Sequence, residues 1–235
     1  MFRYIRIPLI VLAFLSVSGS PVFSEPFKPE VLRGEVQVDL EPVYARYADE
    51  SYPPDIQTTR RRALEESALF YGAMIYGWSF NYDIGEKARG IAEELALEPL
   101  GEIPFGDPGL QATDVYLRDT DLCLFTDYRL NDAQQRRMLM WNSGTIRTVQ
   151  ATGYGPLGGP VEGSDWIAIK KTALEDAARA GIRAMLRGSE RNRPKEARGF
   201  IALTAFPRYW MDAGQWAAAA RFRVVLTELV PFGAY

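Results

Sequence analysis

Two segments of the chain carry apolar residues at the same helical spacing, and the two sets lie 110 positions apart. In each segment the residues fall at i, i+4, i+7 and i+11, which places them on one face of a helix. The sequence therefore predicts two long amphipathic helices, each of which needs another layer to cover its apolar face. The first set is Leu64, Ala68, Tyr71 and Ile75, and the second set is Leu174, Ala178, Gly181 and Met185.

Stretches of strand-like sequence follow each helical segment. The clearest of them are residues 121–130, 199–206 and 217–229, where apolar and polar residues alternate. We predict an α+β fold in which an antiparallel sheet packs against the two long helices. The halves 56–135 and 136–235 are either related by duplication or alike only because two amphipathic helices share a packing constraint.

Local signals predict where several elements begin and end. Asp55 and Ser164 are candidate N-caps of the two long helices, and Gly77 is a candidate stop for the first. The sequence predicts a short helix over residues 86–97 and a strand hairpin over residues 138–153. A loop is predicted between the last two strands.

The N-terminal residues have the three-part pattern of a secretory signal peptide. Arg3 and Arg6 supply the positive region, residues 7–17 are almost uninterruptedly apolar, and Val22 and Ser24 suit a cleavage site. The apolar run is about half the ~20 residues that a spanning helix needs. We therefore predict cleavage after Ser24, and the alternative is an uncleaved N-terminal anchor.

The cysteine content restricts the ways in which an exported chain can be held together or anchored. Cys123 is the only cysteine, so we expect no internal disulfide. Cys123 also lies too far from the signal to carry an N-terminal lipid. We expect a periplasmic or outer-membrane-associated protein with a signal peptide at 1–24, an extended arm at 25–55 and an α+β domain at 56–235. The alternating residues 31–40 are a candidate edge strand within the arm.

The charge pattern argues against nucleic-acid binding. Removal of the signal leaves 25 basic and 30 acidic residues, a net charge of −5. The densest short basic run, residues 60–62, suits a solvated helix face better than the basic stripe that nucleic acid requires.

Histidine is absent from the chain, which removes the common zinc sites and the usual general base of hydrolases. Gly153, Gly155 and Gly158 spell the glycine pattern of a dinucleotide site, but the following helix begins too late for its amides to reach a pyrophosphate. We interpret Gly153 and Gly155 as structural glycines and predict no cofactor.

Two groups of carboxylates are candidates for a metal site and for a hydrolase. Acids at turns and in the first turns of helices have structural explanations, so we predict no metal and no catalytic residue. A carboxylate-dependent hydrolase of cell-wall glycan is the alternative. The metal candidates are Asp114, Asp119, Asp121 and Asp127, and the hydrolase candidates are Glu65, Glu66, Glu175 and Asp176.

Three large aromatic residues cluster in the predicted loop between the last two strands, namely Tyr209, Trp210 and Trp216. Loops lie at the surface, where aromatic side chains form binding edges for proteins, glycans or lipid headgroups. We identify these residues as interface candidates, with core packing as the alternative.

Residues 146–188 resemble the LPP-twenty-type bacterial outer-membrane lipoproteins and the N-terminal domain of the flagellar assembly protein FlgT. A strand ending in Gly153 and Gly155 is followed by a linker and a helix rich in small residues. The resemblance implies a helix lying on a small antiparallel sheet, and a non-enzymatic role in the envelope. We therefore predict a non-catalytic exported protein that binds or scaffolds envelope proteins, either flagellar or outer-membrane components.

Overall fold

The computed structural model describes residues 30–40, 55–86, 89–157, 166–189 and 194–231. Helices and antiparallel strands alternate along these ranges, and the predicted α+β fold is confirmed. The described elements are, in chain order, β1 (Val31–Asp39), α1 (Ile56–Ile75), β2 (Trp78–Asp83), β3 (Glu94–Pro99), β4 (Leu110–Arg118), β5 (Asp121–Arg129), α2 (Asp132–Trp141), β6 (Arg147–Tyr154), α3 (Trp166–Ser189), β7 (Pro194–Leu203), β8 (Arg208–Asp212) and β9 (Gln215–Pro231).

The strands form two sheets rather than the single sheet that the sequence predicted. The small sheet has the order β1-β5-β4, so among the described strands β1 is an edge strand, as predicted for this stretch of the N-terminal arm. The large sheet has the order β3-β2-β7-β9-β6, and β8 adds to the long strand β9. All of these pairings are antiparallel.

Helix α1 lies between the two sheets. The Asp55 carboxylate accepts hydrogen bonds from the amides of Gln57 and Thr58 and caps the helix as predicted. The helix ends at Ile75, and Gly77 follows with a φ of +71°, the left-handed conformation that favours glycine just after a helix. Eleven of the 20 helical residues are buried, because α1 contacts β1 and β5 on one side and β7 on the other.

Helix α3 lies across β6 and β9 of the large sheet. Its contact face contains small side chains, and Ala173, Ala177 and Ala178 are at most 1% exposed. These residues let the helix axis approach the sheet closely, and the buried ring of Phe222 packs in the same core. Ser164, the predicted cap, lies outside the described residues.

The order strand, helix, strand, strand occurs twice when β1 is counted with the first half and the short strand β8 is set aside: β1-α1-β2-β3 and β6-α3-β7-β9. All eight apolar residues of the two predicted helix faces are buried except Leu64, which is half-buried. The first half differs because its leading strand pairs with β5 in the small sheet. Duplication of the two halves stays a prediction.

Three local predictions are wrong. The predicted helix at 86–97 is a bridge between Glu86 and Ile91 followed by β3, because pairing with β2 outweighs the local helical pattern. The predicted first strand of the hairpin at 138–153 is the end of α2. The predicted loop with three aromatics is a two-residue hairpin turn at Ala213 and Gly214, both with positive φ, so the aromatics lie on strands.

Within the described ranges, no helix combines the length and the apolar character needed to cross a bilayer.

Candidate functional site

A groove of about 490 Å³ opens between the edge of β1 and the segment that joins β7 to β8. Four cationic side chains and two carboxylates line it, together with an aromatic and apolar wall. We call this feature the basic groove. Its charged lining residues are Arg33, Arg118, Lys170, Arg208, Glu35 and Glu66, and its wall includes Val36, Phe70, Phe206, Pro207, Tyr209 and Trp210.

The backbone of β1 presents one set of its polar groups to the basic groove. At the two ends of the β1–β5 pair, Leu130 N donates to Glu30 O (3.1 Å) and Leu40 N donates to Thr120 O (2.8 Å). Antiparallel strands alternate between residues that bond to the partner and residues that point away from it. The even-numbered residues of β1 therefore bond to β5, and the N–H and C=O groups of the odd-numbered residues face the free edge.

Phe206 closes the floor of the basic groove beneath β1. A Cβ atom placed on Gly34 would collide with the Phe206 ring, so this close approach requires glycine in the strand. The same ring packs against Tyr71 and Phe70 of α1, with centroid separations of 4.7 and 5.1 Å. The segment after β7 is thus held against both α1 and the small sheet.

Lys170 of α3 joins three elements at the inner end of the basic groove. Its ammonium donates to both carboxylate oxygens of Glu66 on α1 (2.9 and 3.0 Å) and to the carbonyl oxygen of Gln37 on β1 (2.8 Å). Lys170 is 6% exposed and Glu66 is 1% exposed. A charged side chain at a free strand edge blocks further strand pairing at that position, so Lys170 closes the edge at Gln37.

Two aromatic rings complete the surroundings of Lys170. Its ammonium nitrogen lies 5.3 Å from the ring centroid of Tyr209 and 5.2 Å from that of Trp216, within the range of cation–π attraction. The Tyr209 hydroxyl donates to the Lys170 carbonyl (3.0 Å). Burial raises the pKa of Tyr209 well above its ordinary value, so the hydroxyl stays protonated and keeps this bond.

The outer cations are more accessible than Lys170. Arg118 pairs with Glu35 (3.0 Å), and Arg33 lies 3.5 Å from Asp127 with a side chain that is 80% exposed. Arg208 is exposed, and none of the ion pairs among the described residues involves it. Since Glu35 and Glu66 already have cationic partners, the basic groove offers excess positive charge to a ligand.

The structure separates the three aromatic interface candidates. Tyr209 and Trp210 lie on β8, are half-buried and line the basic groove. Trp216 lies on β9, is 8% exposed and packs in a small core cluster with Ile169, Ala173 and Ala218. Tyr209 and Trp210 therefore stay candidates for contact with a ligand in the basic groove, and Trp216 does not.

The predicted structural glycines lie where β6 meets α3. A Cβ atom on Gly153 would collide with the backbone nitrogen of Ala177, and one on Gly155 would lie 3.3 Å from the carbonyl oxygen of Ile169. Both glycines are buried. Gly158, the third glycine of the motif, lies outside the described residues.

The four hydrolase candidates do not converge on a common pocket. Glu65 pairs with Arg61 (2.8 Å), Asp176 pairs with Arg179 (2.8 Å), and Glu175 lies 4.0 Å from Lys171. Each bridge joins residues of one helix, and Glu66 is bound to Lys170 as described above. Within the described ranges, no three acidic or cysteine side chains are placed to hold a metal ion.

Asp39, at the end of β1, carries a carboxyl group that is unfavourably placed when charged. Burial raises its pKa from 3.8 to about 6, with Lys170 opposing the shift and Asp121 and Glu66 adding to it. Asp39 and Asp121 are also direct cross-strand neighbours, an arrangement that destabilises a sheet when both are ionised.

We expect Asp39→Asn to raise the free energy of unfolding at pH 7.5 and to have little effect near pH 4. The folded chain binds the Asp39 proton up to about pH 6 and the unfolded chain only up to about 4, so wild-type stability falls as pH rises through this window. The full pKa difference between the folded and unfolded chains corresponds to about 3 kcal/mol of free energy of unfolding. Because water reaches and screens this half-buried carboxyl group, we expect a gain of about 1–2 kcal/mol. Urea unfolding at both pH values measures the change in free energy of unfolding. An equal change at pH 4 and at pH 7.5 would contradict the prediction.

A protein-family model matches residues 19–232. The chain belongs to this family. A relative from Treponema pallidum (strain Nichols), which bears the name "Uncharacterized protein", is 26% identical over 240 residues, and the alignment covers 98% of this chain and 96% of the relative. No solved structure matches the chain. The family match includes β1, α1, α3 and β8, so all parts of the basic groove fall within it.

Sequence reasoning missed most of the charged residues of the basic groove. Arg33, Arg118 and Arg208 belong to β1, β4 and β8, and no sequence motif connects them. The unusual position of Lys170 is visible in the sequence, because Lys170 lies four residues before Leu174 and therefore on the apolar face of α3. A cation at such a position requires a buried partner, which the structure identifies as Glu66.

Proposed function

We propose that this protein is a non-catalytic, exported envelope protein that binds another envelope component in the basic groove. The observation that carries the proposal is the excess of four cationic side chains over two carboxylates in the lining of one groove, on a chain whose net charge after signal removal is −5. Such a local reversal of charge favours an anionic partner and steers its approach.

A binding role also agrees with the chemistry that the basic groove contains. Lys170 and Glu66 are buried and bonded to each other, so neither is available as a free acid, base or nucleophile. The chain has no histidine, and the other hydrolase candidates are paired within their own helices. These contacts support a binding protein over the alternative hydrolase of cell-wall glycan.

The envelope address rests on the N-terminal sequence pattern. The signal-like residues 1–24 and the position of Cys123 favour export without lipidation. The resemblance of residues 146–188 to the LPP-twenty-type and FlgT proteins suggests a flagellar or outer-membrane component as the partner, and that resemblance stays a prediction.

Arg208→Glu is expected to reduce capture of the partner by the tagged mature protein from solubilised envelopes. Reversal of one exposed charge in the basic groove should lower recovery by about tenfold, equivalent to about 1.4 kcal/mol. Arg136→Glu is the matched control, because Arg136 is an exposed arginine on α2, outside the lining of the basic groove. Quantitative mass spectrometry of the eluates, and of the mature N-terminus, provides the measurement.

The outcome separates binding in the basic groove from general electrostatic adhesion. Lower recovery of the partner with Arg208→Glu, together with unchanged recovery with Arg136→Glu, supports the proposed function. Equal recovery by both variants, or a chain that keeps residues 1–24 in the cytoplasm, would contradict it.

A further inference from the structure

We propose that the basic groove receives an extended, acidic segment of a partner protein, which adds as a strand to the free edge of β1. The inference rests on the proposed binding function and assigns the chemistry of the ligand. Strand addition uses backbone hydrogen bonds for affinity and alternate side-chain contacts for specificity. The basic groove offers both the backbone groups and the alternating side-chain surfaces that such binding needs.

The backbone part of this site is the first half of β1. The N–H and C=O groups of Val31, Arg33 and Glu35 face away from β5, as the alternation along the β1–β5 pair requires. The next outward carbonyl, that of Gln37, is already bonded to Lys170. Among the described residues, the open edge therefore runs from Val31 to Glu35, which is about 15 Å of strand, and ends against the Lys170 ammonium.

The side chains beside the edge of β1 predict a ligand in which acidic and apolar residues alternate. The odd-numbered side chains of β1 lie on the outer face of the small sheet, where Arg118 pairs with Glu35 and the largely exposed Arg33 makes a longer ion pair with Asp127. The even-numbered side chains lie on the inner face, toward Phe70 and Phe206 of the groove wall. Side chains of an added strand share this alternation, so acidic residues would face outward and apolar residues would face the wall.

Charge distinguishes this occupant from a second copy of the chain. A strand supplied by another β1 would bring Arg33 together with Glu35 and Asp39, so it would offer the cations less negative charge than a segment with an acid at every outward position. Arg208 adds positive charge from the opposite side of the groove. An acidic segment is attracted by all of these groups.

The first experiment measures binding of a fluorescein-labelled eight-residue peptide that alternates Glu and Val to the full mature protein by fluorescence anisotropy. One matched peptide carries Lys in place of Glu, and another is N-methylated on alternate backbone nitrogens. N-methylation keeps the charge and removes the strand donors. We expect saturable binding of the parent peptide and at least about a tenfold weaker affinity for each matched peptide.

The second experiment compares Arg33→Pro with Arg33→Ala. Both variants lose the guanidinium, but only the proline removes the outward-facing N–H of this edge residue, and edge strands tolerate proline there. We expect the proline variant to bind the peptide about tenfold more weakly than the alanine variant. Thermal unfolding of both variants shows whether the strand remains intact.

Absence of saturable binding up to about 1 mM, a range that includes weak interactions, overturns the inference. Equal affinity for the N-methylated peptide also overturns it, because charge alone would then explain binding. A dimer that Arg33→Pro abolishes and the peptide does not displace assigns the edge to a second copy and contradicts the acidic partner. If capture still depends on Arg208 while the peptide fails, the proposed function stands and only this inference is lost.

Discussion

Lys170→Met is expected to lower the free energy of unfolding by about 3–5 kcal/mol at pH 7.5. The substitution leaves the Glu66 carboxylate, which is 1% exposed, without its cation, and removal of one member of a buried ion pair carries a cost of about this size. The Gln37 carbonyl also loses its donor. Urea unfolding followed by circular dichroism measures the loss.

The pH dependence of this variant tests the cause. Burial already raises the pKa of Glu66, and Lys170 opposes that rise, so removal of the cation raises the pKa further. The folded variant then keeps a proton on Glu66 above pH 4.5, which is the ordinary pKa at which the unfolded chain loses that proton. The stability deficit should therefore shrink as the pH falls from 8 toward 5.

Two variants serve as controls for Lys170→Met. Lys171→Met changes the neighbouring lysine, whose side chain is 53% exposed, and should alter stability by no more than about 0.5 kcal/mol. The double substitution Glu66→Leu with Lys170→Met replaces the buried pair by apolar groups and should recover most of the loss. A single-variant loss below about 1 kcal/mol would contradict a buried, uncompensated charge.

The long helices were predictable because their apolar faces are repeated over three turns. Leu174, Ala178 and Met185 are buried as the spacing indicates, and Asp55 and Gly77 mark the ends of α1. These signals are local, since a helix satisfies its own backbone and shows its packing face in the order of its residues.

Elements that depend on distant partners were less predictable. The segment 86–97 contains helix-forming residues, but its last four residues belong to β3, where pairing with β2 decides the conformation. The apolar run from Met138 to Trp141 predicts a strand, but these residues form the last turn of α2. A local signal was present, since Asn131 and Gln134 form a reciprocal capping box at its start.

The basic groove was the least predictable feature. Its four cations come from four separate elements, and only the folded chain brings Arg33, Arg118 and Arg208 around one opening. The aromatic residues of β8 were identified by residue type alone. Their separation from Trp216 follows from the hairpin, which directs Trp216 into the cluster with Ile169 and Ala173.

Gly153→Ala is expected to destabilise the fold by about 3 kcal/mol, at the upper end of ordinary overpacking. Gly153 lies in β6 directly beneath α3, and the added Cβ would collide with backbone atoms of Ala177 and Ala173. A flexible side chain moves aside at little cost, but here the helix itself must shift. That shift separates α3 from β6 and β9, whose contacts form much of the large-sheet core.

Gly155→Ala provides the matched control for this prediction, because it adds the same methyl group two residues further along the chain. Its Cβ would lie 3.3 Å from the Ile169 carbonyl oxygen and 3.6 Å from the Trp216 carbonyl oxygen, distances that small adjustments relieve. We expect a loss within about 1 kcal/mol for this variant. Parallel urea unfolding of the two variants decides the matter: similar losses would mean that strand propensity, rather than the close approach of β6 and α3, requires glycine at residue 153.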